Sequence, residues 1–376
     1  MRSFDEIFED KTKYGTKIKT SEYKEIGKYA IIDQGQEEIA GYTDLEKGVF
    51  EDVPAIIFGD HTRVIKYVRD PFFLGADGVK ILKCKELNVN YKYLYYALKN
   101  AKIPNTGYNR HFKWLKQIQI EYPSIDKQEK IVKILDKVVM VIEDRRKEIQ
   151  ELDKLIKARF VEMFGDARKN PNKYDTVSFI DIVEYMGDIG SNGANKVVVD
   201  HLDMKNKEDY AMMVRFTNFT KNDFTDDVKY VSKEAYDFFK KSQIFGGELI
   251  ICKIGSAGQN YVMPYLNRPV SLGLNQIMVR IKDNILMPYL YQYLHTDYGE
   301  FLISGCINGA VTKTITKTEL KKIPVMLPPM ELQREFVAFV EQVDKSKVVY
   351  QIIINKLTFL QKICYNNYKE QYHIPG

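Results

Sequence analysis

The side chains best suited to specific polar contacts lie in short loops beside glycine, and the first such loop is the turn Gly59–Arg63. It carries His61 and Arg63, and Lys66 follows closely. An arginine guanidinium can donate two parallel hydrogen bonds to a guanine edge, whereas a lysine ammonium mainly offers charge to a phosphate. The turn therefore suits contact with DNA. The alternative is an ordinary polar turn that Asp60 caps.

A second loop, Thr106–Lys113, is richer in such groups. Five of its side chains suit base edges or phosphates, and they lie next to a glycine: Tyr108, Asn109, Arg110, His111 and Lys113. Because base readout favours arginine and asparagine, this loop is the best candidate in the first half for insertion into a DNA groove. The alternative is a surface loop that Phe112 and Trp114 attach to the core.

The second half of the chain contains three further segments of this kind. They are the loop Asn308–Lys317 with Lys313, Thr314 and Lys317, the glycine-rich loop Gly187–Gly193 with Ser191 and Asn192, and the surroundings of Gly255 with Lys253 and Ser256. Lysine and threonine suit phosphates and base edges, although the first segment is also compatible with a solvated strand edge. The glycine-rich loop lacks the strand-to-helix context of a dinucleotide fingerprint, which favours a DNA-contacting turn. Glycine at position 255 would let the backbone approach DNA closely.

The sequence lacks the common catalytic motifs. It contains no Gly-x-x-x-x-Gly-Lys-Ser/Thr loop, no Gly-x-Ser-x-Gly elbow and no Asn/Asp-Pro-Pro-aromatic tetrapeptide of the amino-methyltransferases. The five histidines, at positions 61, 111, 201, 295 and 373, form no close pair with metal-ligand spacing. We therefore predict no catalytic residue, no metal site and no cofactor in this chain.

The composition is that of a globular protein with room for two domains, at 376 residues, 45% hydrophobic and 28% charged. No run of about 18 apolar residues predicts a membrane span, and the acidic N-terminus lacks the apolar core of a secretory signal. The four cysteines are scattered, which favours free buried thiols in a reducing cytoplasm. A net charge of +5 permits nucleic-acid binding without requiring it, so a DNA surface must come from local clusters of lysine and arginine.

The most regular element available to position these loops is the stretch 122–166. It has no proline or glycine between Ser124 and Phe164. Its apolar residues recur in steps of three and four with one interruption, as in a narrow helical seam: Ile131, Leu135, Val138, Ile142, Ile149, Leu152 and Ile156. Asp126 with Glu129 suits an N-cap arrangement, and Gly165 is a natural stop. The pattern predicts a helix of roughly 57 Å that needs a partner along its seam.

The partner is indicated by an internal repeat. Residues 115–160 align without a gap on residues 320–365, at an offset of 205 positions, and share eleven identities. We therefore predict a second long helix from Glu331 to about Tyr372. Arg145, Arg159, Lys347 and Gln361 interrupt the seam, which predicts an imperfect pairing or a bend there.

Each half is thus predicted to be a globular domain followed by a long helix. The expected boundaries are residues 1–122 for the first domain, 123–165 for the first helix, 166–327 for the second domain and 328–376 for the second helix. A tyrosine-rich helix recurs at Tyr93–Leu98 and Tyr289–Leu294, but at an offset of 196, so the following loops differ in length by nine residues. Halves that share a plan but have divergent loops favour two different half-sites over one symmetric ligand.

These features resemble the specificity subunit of type I restriction-modification systems. The resemblance rests on Pro328-Pro-Met-Glu-Leu-Gln333 opening a long helix, on its weaker copy Pro123-Ser-Ile-Asp-Lys-Gln128, and on the repeated layout over nearly the whole chain. The segments Phe58–Arg63, Gly75–Val79 and Gly107–Phe112 look like one class of target recognition domain, and Gly246–Gly255 looks like another. The sequence departs from the family in having Lys127 and Leu332, where glutamate is usual before the helix-opening glutamine.

The resemblance implies an α+β fold with two target recognition domains separated by two long antiparallel helices. It implies a non-catalytic subunit that reads a bipartite, asymmetric site in double-stranded DNA, with the helices setting the unread spacer. The implied partners are two methyltransferase subunits, docked on the helices, and restriction subunits. S-adenosylmethionine, ATP and magnesium are then expected only on those partners.

Two other functions remain open from the residues alone. One is a self-sufficient DNA methyltransferase or nuclease with an unrecognised site, which turnover by the isolated protein would reveal. The other is a coiled-coil scaffold that does not bind DNA, which an absence of salt-dependent DNA binding would reveal. The charged run 145–148 on the first helix serves either solvation or partner docking under any of these functions.

Overall fold

The computed structural model describes residues 1–75, 77–107 and 109–370, and the surroundings of side chains as far as Gln361. Tyr108 and residues 371–376, the end of the predicted second helix, lie outside the described residues. The chain divides into two compact units, unit 1 with Met1–Lys147 and Tyr350–Gly376, and unit 2 with Glu148–Val349. Both divisions fall within long helices. None of the helices in the described part combines the length and apolar character needed to cross a lipid bilayer.

Unit 1 is built from short strands and helices around two sheets. In chain order its elements are β1 (Arg2–Ser3), α1 (Phe4–Ile7), β2 (Phe8–Asp10), β3 (Tyr29–Ile32), β4 (Gly41–Thr43), β5 (Ala55–Gly59), β6 (Ile65–Val68), β7 (Phe72–Leu74), β8 (Val79–Cys84), α2 (Tyr91–Lys99), α3 (Phe112–Leu115) and β9 (Gln119–Ile120), with 3-10 turns at Thr12–Tyr14 and Thr20–Glu22. An antiparallel sheet has the order β2-β8-β5-β6, and a second sheet has the order β4-β3-β7 with β3 and β7 parallel. Strands β1 and β9 form a separate pair.

The central strand β5 lies between two hydrophobic clusters of unit 1 and contributes to both. All five of its residues are buried, as its continuous apolar run predicts for a strand covered on both faces. Because side chains alternate along a strand, Ile56 and Phe58 enter the cluster that contains α2, whereas Ala55 and Ile57 enter the cluster with Phe72 of the second sheet.

Unit 2 repeats this plan with additions. Its elements are β10 (Asp175–Ser178), β11 (Val183–Gly187), α5 (Asn195–His201), β12 (Ala211–Val214), α6 (Phe216–Lys221), β13 (Lys229–Val231), α7 (Lys233–Phe238), β14 (Gln243–Ile244), β15 (Leu249–Cys252), β16 (Asn260–Val262), β17 (Val270–Leu272), β18 (Gln276–Ile281), α8 (Met287–Leu294), α9 (Asp297–Gly305), β19 (Ile307–Asn308), β20 (Thr314–Ile315), α10 (Lys317–Leu320) and β21 (Pro324–Leu327), with 3-10 turns at Phe179–Ile182, Ile189–Asn192 and Lys240–Ser242. The sheets have the orders β11-β18-β15-β16 and β13-β12-β17-β14, with β12 and β17 parallel, and β10 pairs with β21 and β19 with β20. The order β2-β8-β5-β6 of unit 1 thus corresponds to β11-β18-β15-β16 of unit 2.

The two long helices are α4 (Ile125–Phe164) and α11 (Met330–Glu370). The predicted seam of α4 is buried at Ile131, Leu135, Ile142 and Ile156. The N-cap assignment of Asp126 is corrected: the backbone N–H groups of Lys127 and Gln128 both donate to the Ser124 carbonyl at 3.0 Å. The residue before the helix is therefore Ser124, two residues earlier than predicted, and Asp126 lies in the first turn, where a carboxylate complements the helix dipole. Gly165 follows the helix with φ +80°, as expected of a glycine stop.

The helices run antiparallel within unit 2. Arg159 of α4 pairs with Glu335 of α11 at 2.9 Å, and Asp153 pairs with Lys347 at 2.6 Å, so the numbering falls along one helix as it rises along the other. Two of the predicted seam interruptions, Arg159 and Lys347, are thus accommodated by cross-helix ion pairs. The α+β class and the antiparallel long helices expected from the sequence are confirmed.

The helix-opening glutamine is the same buried connector in both units. In unit 1, Gln128 accepts from the Asn90 backbone N–H at 3.0 Å and donates to the Pro123 carbonyl at 2.9 Å. In unit 2, Gln333 accepts from the Leu286 N–H at 2.9 Å and donates to the Pro328 carbonyl at 2.9 Å. Each amide therefore joins the start of a long helix to the start of the tyrosine-rich helix, α2 or α8.

The nine-residue difference between the repeats lies between these anchors. Positions 90 and 128 are separated by 38 residues, and positions 286 and 333 by 47. Unit 2 uses the additional length for α9 (Asp297–Gly305) and the β19–β20 hairpin, neither of which has a counterpart among the described residues of unit 1.

Candidate nucleic-acid interface

In unit 1 the predicted turn after β5 is held by Gln34, which lies just beyond β3. The Gln34 side-chain oxygen accepts from the His61 N–H at 3.2 Å, its amide nitrogen donates to the Asp77 carbonyl at 2.9 Å, and its backbone carbonyl accepts from the Thr62 hydroxyl at 2.6 Å. Arg63 has φ 62°, a left-handed conformation that is uncommon for arginine. The turn therefore has one defined shape, and Arg63 is half-buried within it.

The turn and the second predicted loop of unit 1 are hydrogen-bonded to each other. The Asp60 carbonyl accepts from the His111 backbone N–H at 2.8 Å, and the Asp60 carboxylate accepts from the Phe112 N–H at 2.7 Å. The Arg63 guanidinium donates to the Ile103 carbonyl at 3.4 Å. Two segments that are about fifty residues apart thus form one surface. Asn109, Arg110 and Lys113 are exposed on the loop, and His61 and Arg63 are partly exposed on the turn.

Two residues predicted to contact DNA are buried, which corrects their assignment. Lys66 is 1% exposed, and its ammonium bonds to the Asp33 carboxylate and the Glu37 carbonyl, so it faces the protein interior. His111 is fully buried, with its Nδ1 3.0 Å from the Asp60 carbonyl and its ring beside Trp114. Both stabilise the surface from within. Tyr108, predicted for the same loop, lies outside the described residues.

Unit 2 makes the same connection between its turn and loop. The Ile315 N–H donates to the Lys253 carbonyl at 3.0 Å, and the Gly255 N–H donates to the Lys313 carbonyl at 3.1 Å. Gly255 has φ +86° and open space around it, so the conformation of the turn requires a glycine there while its surface stays accessible. Ser256 and Lys313 are exposed and Thr314 is half-buried. The predicted segments around Gly255 and Lys313 therefore lie side by side.

The glycine-rich loop joins this surface through Asp188. Asp188 is 5% exposed and accepts hydrogen bonds from the ammonium groups of Lys253 at 2.7 Å and Lys317 at 2.9 Å. Burial alone would raise the pKa of this carboxyl, but the hydrogen bonds from Lys253, Lys317 and Ser191 outweigh it and lower the pKa of Asp188 to about 2. The carboxylate thus stays ionised and holds two cations beside each other.

Ser191 and Asn192, predicted to contact DNA, are largely engaged within the protein. The Ser191 hydroxyl donates to Asp188 at 3.0 Å and accepts from Lys317 at 3.0 Å. The Asn192 amide donates to the Ser242 hydroxyl at 2.7 Å, and its oxygen accepts from the Lys241 N–H at 3.0 Å. Asn192 therefore shapes the loop, and Ser191 belongs to the Asp188 cluster.

Sequence reasoning did not identify Asp188 or Gln34, and it treated Asp60 only as a turn cap. Asp188 lies 65 residues from Lys253 and 129 from Lys317, so no local pattern connects them. For Asp188 the available signal was an acidic residue that directly follows a strand in a glycine-rich loop. Gln34 carries no comparable signal. Within the part of the chain that the structure describes, no group of three or more His, Cys, Asp or Glu side chains is arranged to hold a metal ion.

Comparison with known families finds a match that covers most of the chain. Residues 1–154 and 181–358 match the family described as type I restriction modification DNA specificity domain. The two matched segments correspond to the two halves of the internal repeat.

Known relatives align with this chain over most of its length, at low sequence identity. The chain is 23% identical over 357 residues to the type I restriction enzyme EcoR124I/EcoR124II specificity subunit of Escherichia coli. This alignment covers 90% of this chain and 84% of that protein. Among solved structures, the type I restriction-modification S subunit from M. genitalium is 17% identical, with a TM-score of 0.45 and coverage of 97% and 94% of the two chains. The HsdS subunit from Thermoanaerobacter tengcongensis is 15% identical, with a TM-score of 0.38 and coverage of 90% and 89%.

Proposed function

The chain belongs to the family of type I restriction modification DNA specificity domains, and from that premise we propose that its two recognition domains each read one half of a bipartite, asymmetric DNA site. The protein is a specificity subunit, a non-catalytic DNA-recognition component, which sets aside a self-sufficient methyltransferase or nuclease. Such a subunit is itself cofactor-free. S-adenosylmethionine, ATP and magnesium are assigned to its partner subunits.

One observation carries the proposal. In each unit the loop before the long helix is hydrogen-bonded to the hairpin turn of the central sheet, through His111 and Asp60 in unit 1 and through Ile315 and Lys253 in unit 2. The backbone connection is the same, but the side chains displayed on it differ. A repeated frame with different contact groups suits two readers of different sequence, because bases are distinguished by hydrogen-bonding groups at their edges.

The proposed DNA-contacting surface of unit 1 comprises His61, Arg63, Asn109, Arg110 and Lys113. That of unit 2 comprises Lys253, Ser256, Lys313, Thr314 and Lys317, with Ser191 supporting the lysines. All of these are at least partly exposed. Arginine and asparagine in unit 1 favour direct readout of purines, whereas unit 2 offers mainly lysine and hydroxyl groups.

The long helices are proposed to dock two methyltransferase subunits, and the resulting complex to recruit restriction subunits. Helix α4 displays apolar side chains to solvent, with Leu155 48% and Val161 53% exposed. Arg146 and Lys147 are exposed on the same helix. These side chains are accessible to a partner, and the docking role itself is proposed from membership of the family.

Sequencing of methylated DNA from cells that carry this protein with its partner subunits tests the proposal. The expected result is a bipartite, asymmetric motif with a fixed gap. A single continuous motif would refute the assignment of one half-site to each domain.

A second experiment tests the role of the helices as a spacer. Insertion of seven residues after Lys147 and seven after Val349 keeps the seam in register and adds about 10 Å to each helix. The permitted gap should grow by about three base pairs with both half-sites unchanged, given a rise of about 3.4 Å per base pair. Altered half-sites with an unchanged gap would contradict this role.

A further inference from the structure

In the cluster around Asp188, one buried carboxylate is paired with two lysines. This arrangement has no counterpart among the described residues of unit 1. Its members come from three places: the end of β11, the turn after β15 and the start of α10. The two carboxylate oxygens are used separately, Oδ2 by Lys253 at 2.7 Å and Oδ1 by Lys317 at 2.9 Å. Ser191 donates to Oδ1 at 3.0 Å and accepts from Lys317 at 3.0 Å.

We propose that Lys253 and Lys317, held on Asp188, form a preorganised binding site for one phosphate of the DNA backbone, and that Asp188 is the residue that positions both ammonium groups. This inference rests on the proposed function and names the ligand of one part of that surface.

Both ammonium groups keep N–H donors that can donate to an anion. An ammonium group has three N–H donors. Lys317 uses two of them, on Asp188 and Ser191, and Lys253 uses one on Asp188. The lysine side chains remain 34% and 37% exposed, whereas that of Asp188 is 7% exposed. Two cations share one anion, so the exposed side of the cluster carries net positive charge.

The arrangement also lowers the entropic cost of binding. A free lysine side chain loses rotamer freedom when it is fixed on a ligand. Here the fixing has occurred before DNA arrives, because a buried carboxylate already holds both chains. Such preorganisation increases affinity without any additional contact.

The position of the cluster favours a phosphate over a base edge. The Lys253 carbonyl accepts from the Ile315 N–H, so the cluster lies at the base of the turn and loop, with Lys313 and Ser256 further along each segment. Lysine acts as a compact point charge and lacks the planar fork that reads guanine bidentately. At the corresponding place in unit 1 the residue is Asp60, whose carboxylate is occupied by the Phe112 N–H.

The test uses the full chain assembled with its partner subunits. Binding is titrated with a duplex that carries the methylation site and with a scrambled duplex, at salt concentrations from about 50 to 200 mM. The double variant K253M/K317M should bind both duplexes more weakly by a similar factor. The slope of log K against log salt should fall by about 0.9, the value for one phosphate. The preference for the site duplex should be retained, because phosphate contacts carry no sequence information.

The variant D188N separates positioning from simple charge. Removing a negative charge beside DNA should strengthen binding if only net charge matters. If Asp188 positions the lysines, D188N should weaken binding to both duplexes and reduce the slope towards that of the double variant. Stronger binding by D188N would overturn the positioning role.

Matched controls lie at the other end of the same strand pair. Gly187 pairs with Met278 and Val183 with Ile281, so Lys282 and Asp283 lie beyond the end opposite to Asp188. The variants K282M and D283N should leave the slope unchanged. A double variant K253M/K317M that lost the site preference, or kept the wild-type slope, would overturn the phosphate site. A wild-type complex without preference for the site duplex would refute the proposed function instead, while the slope on the scrambled duplex would still decide the phosphate site.

Discussion

Asp60 in unit 1 and Lys253 in unit 2 occupy the same place, because each carbonyl accepts the backbone N–H that ties the loop to the turn. Their side chains have opposite charges and make different contacts. The Asp60 carboxylate turns inward and caps the Phe112 N–H. The Lys253 ammonium turns towards Asp188 and joins a second lysine. The contrast shows that the backbone frame fixes where contacts are made, while the side chains alone decide which contacts they are.

The largest effect is expected from breaking the frame itself. Replacing Gln128 or Gln333 with leucine leaves a backbone N–H and a backbone carbonyl, at least partly buried, without partners, each at a cost of about 1–3 kcal/mol. We expect each variant to lower the unfolding free energy of its own unit by about 3 kcal/mol. Hydrogen exchange resolved by segment measures this for α2 and α8 separately. A large effect in only one unit would show that the frames are not equivalent.

The second prediction concerns the stability of unit 2 at low pH. The pKa of Asp188 is lowered from 3.8 to about 2 in the folded protein, so its contribution is complete above pH 4 and is lost as the pH falls through 2. We expect unit 2 to lose about 2 kcal/mol of stability between pH 5 and pH 2 through this group. Urea unfolding followed by circular dichroism measures it as the difference between wild type and D188N. Fluorescence of Trp114, the single tryptophan, follows unit 1, which should show no such difference.

Arginine readout in unit 1 gives the third prediction. Arg110 is exposed on the loop tied to Asp60. Its replacement by alanine should reduce discrimination at one base pair by about 1–3 kcal/mol, or roughly 5- to 150-fold. Competition binding with duplexes substituted at single positions of each half-site measures this. Uniform weakening over all sequences, or a changed preference in the other half-site, would contradict direct readout by Arg110.

The smallest effect is expected from Lys313 in unit 2, which is exposed beside Gly255. The variant K313A should weaken binding by a similar factor for every sequence and reduce the salt slope by about one. The variant K113A provides the matched comparison in unit 1, because Lys113 is also an exposed lysine on the loop before the long helix. Its ammonium group lies 4.2 Å from the ring centre of Trp114. A sequence-dependent loss in K313A would mean that unit 2 also reads bases through lysine.

Much of the fold could be predicted from the sequence, because the informative patterns are local. The spacing from Ile131 to Ile156 indicates a helix with a seam, and the offset of 205 residues indicates its partner. The strand β5 has the uninterrupted apolar run of a buried strand. The N-cap of α4 was placed two residues late because Asp126 with Glu129 has the spacing of a capping pair, whereas the Ser124 carbonyl accepts the first hydrogen bonds of the helix.

The site was less predictable, because its decisive contacts join distant segments. The loops were identified from their glycines and cations, and the structure brings them together as pairs. That Lys66 and His111 are buried follows from Asp33, Glu37 and Asp60, which lie between 29 and 51 residues away from them in sequence. Residue type alone cannot separate a lysine on a phosphate from a lysine on a buried carboxylate.

The two buried glutamines have a consequence for how such a chain can change. Each closes a segment between fixed ends, of 38 residues in unit 1 and 47 in unit 2. The additional nine residues are taken up by a helix and a hairpin within that closure, while the ends keep the same hydrogen bonds at 2.9 to 3.0 Å. The enclosed segment therefore behaves as an exchangeable cassette. We expect that loops of different length can be grafted between these anchors, and that the hydrogen bonds at the start of the long helix will stay the same.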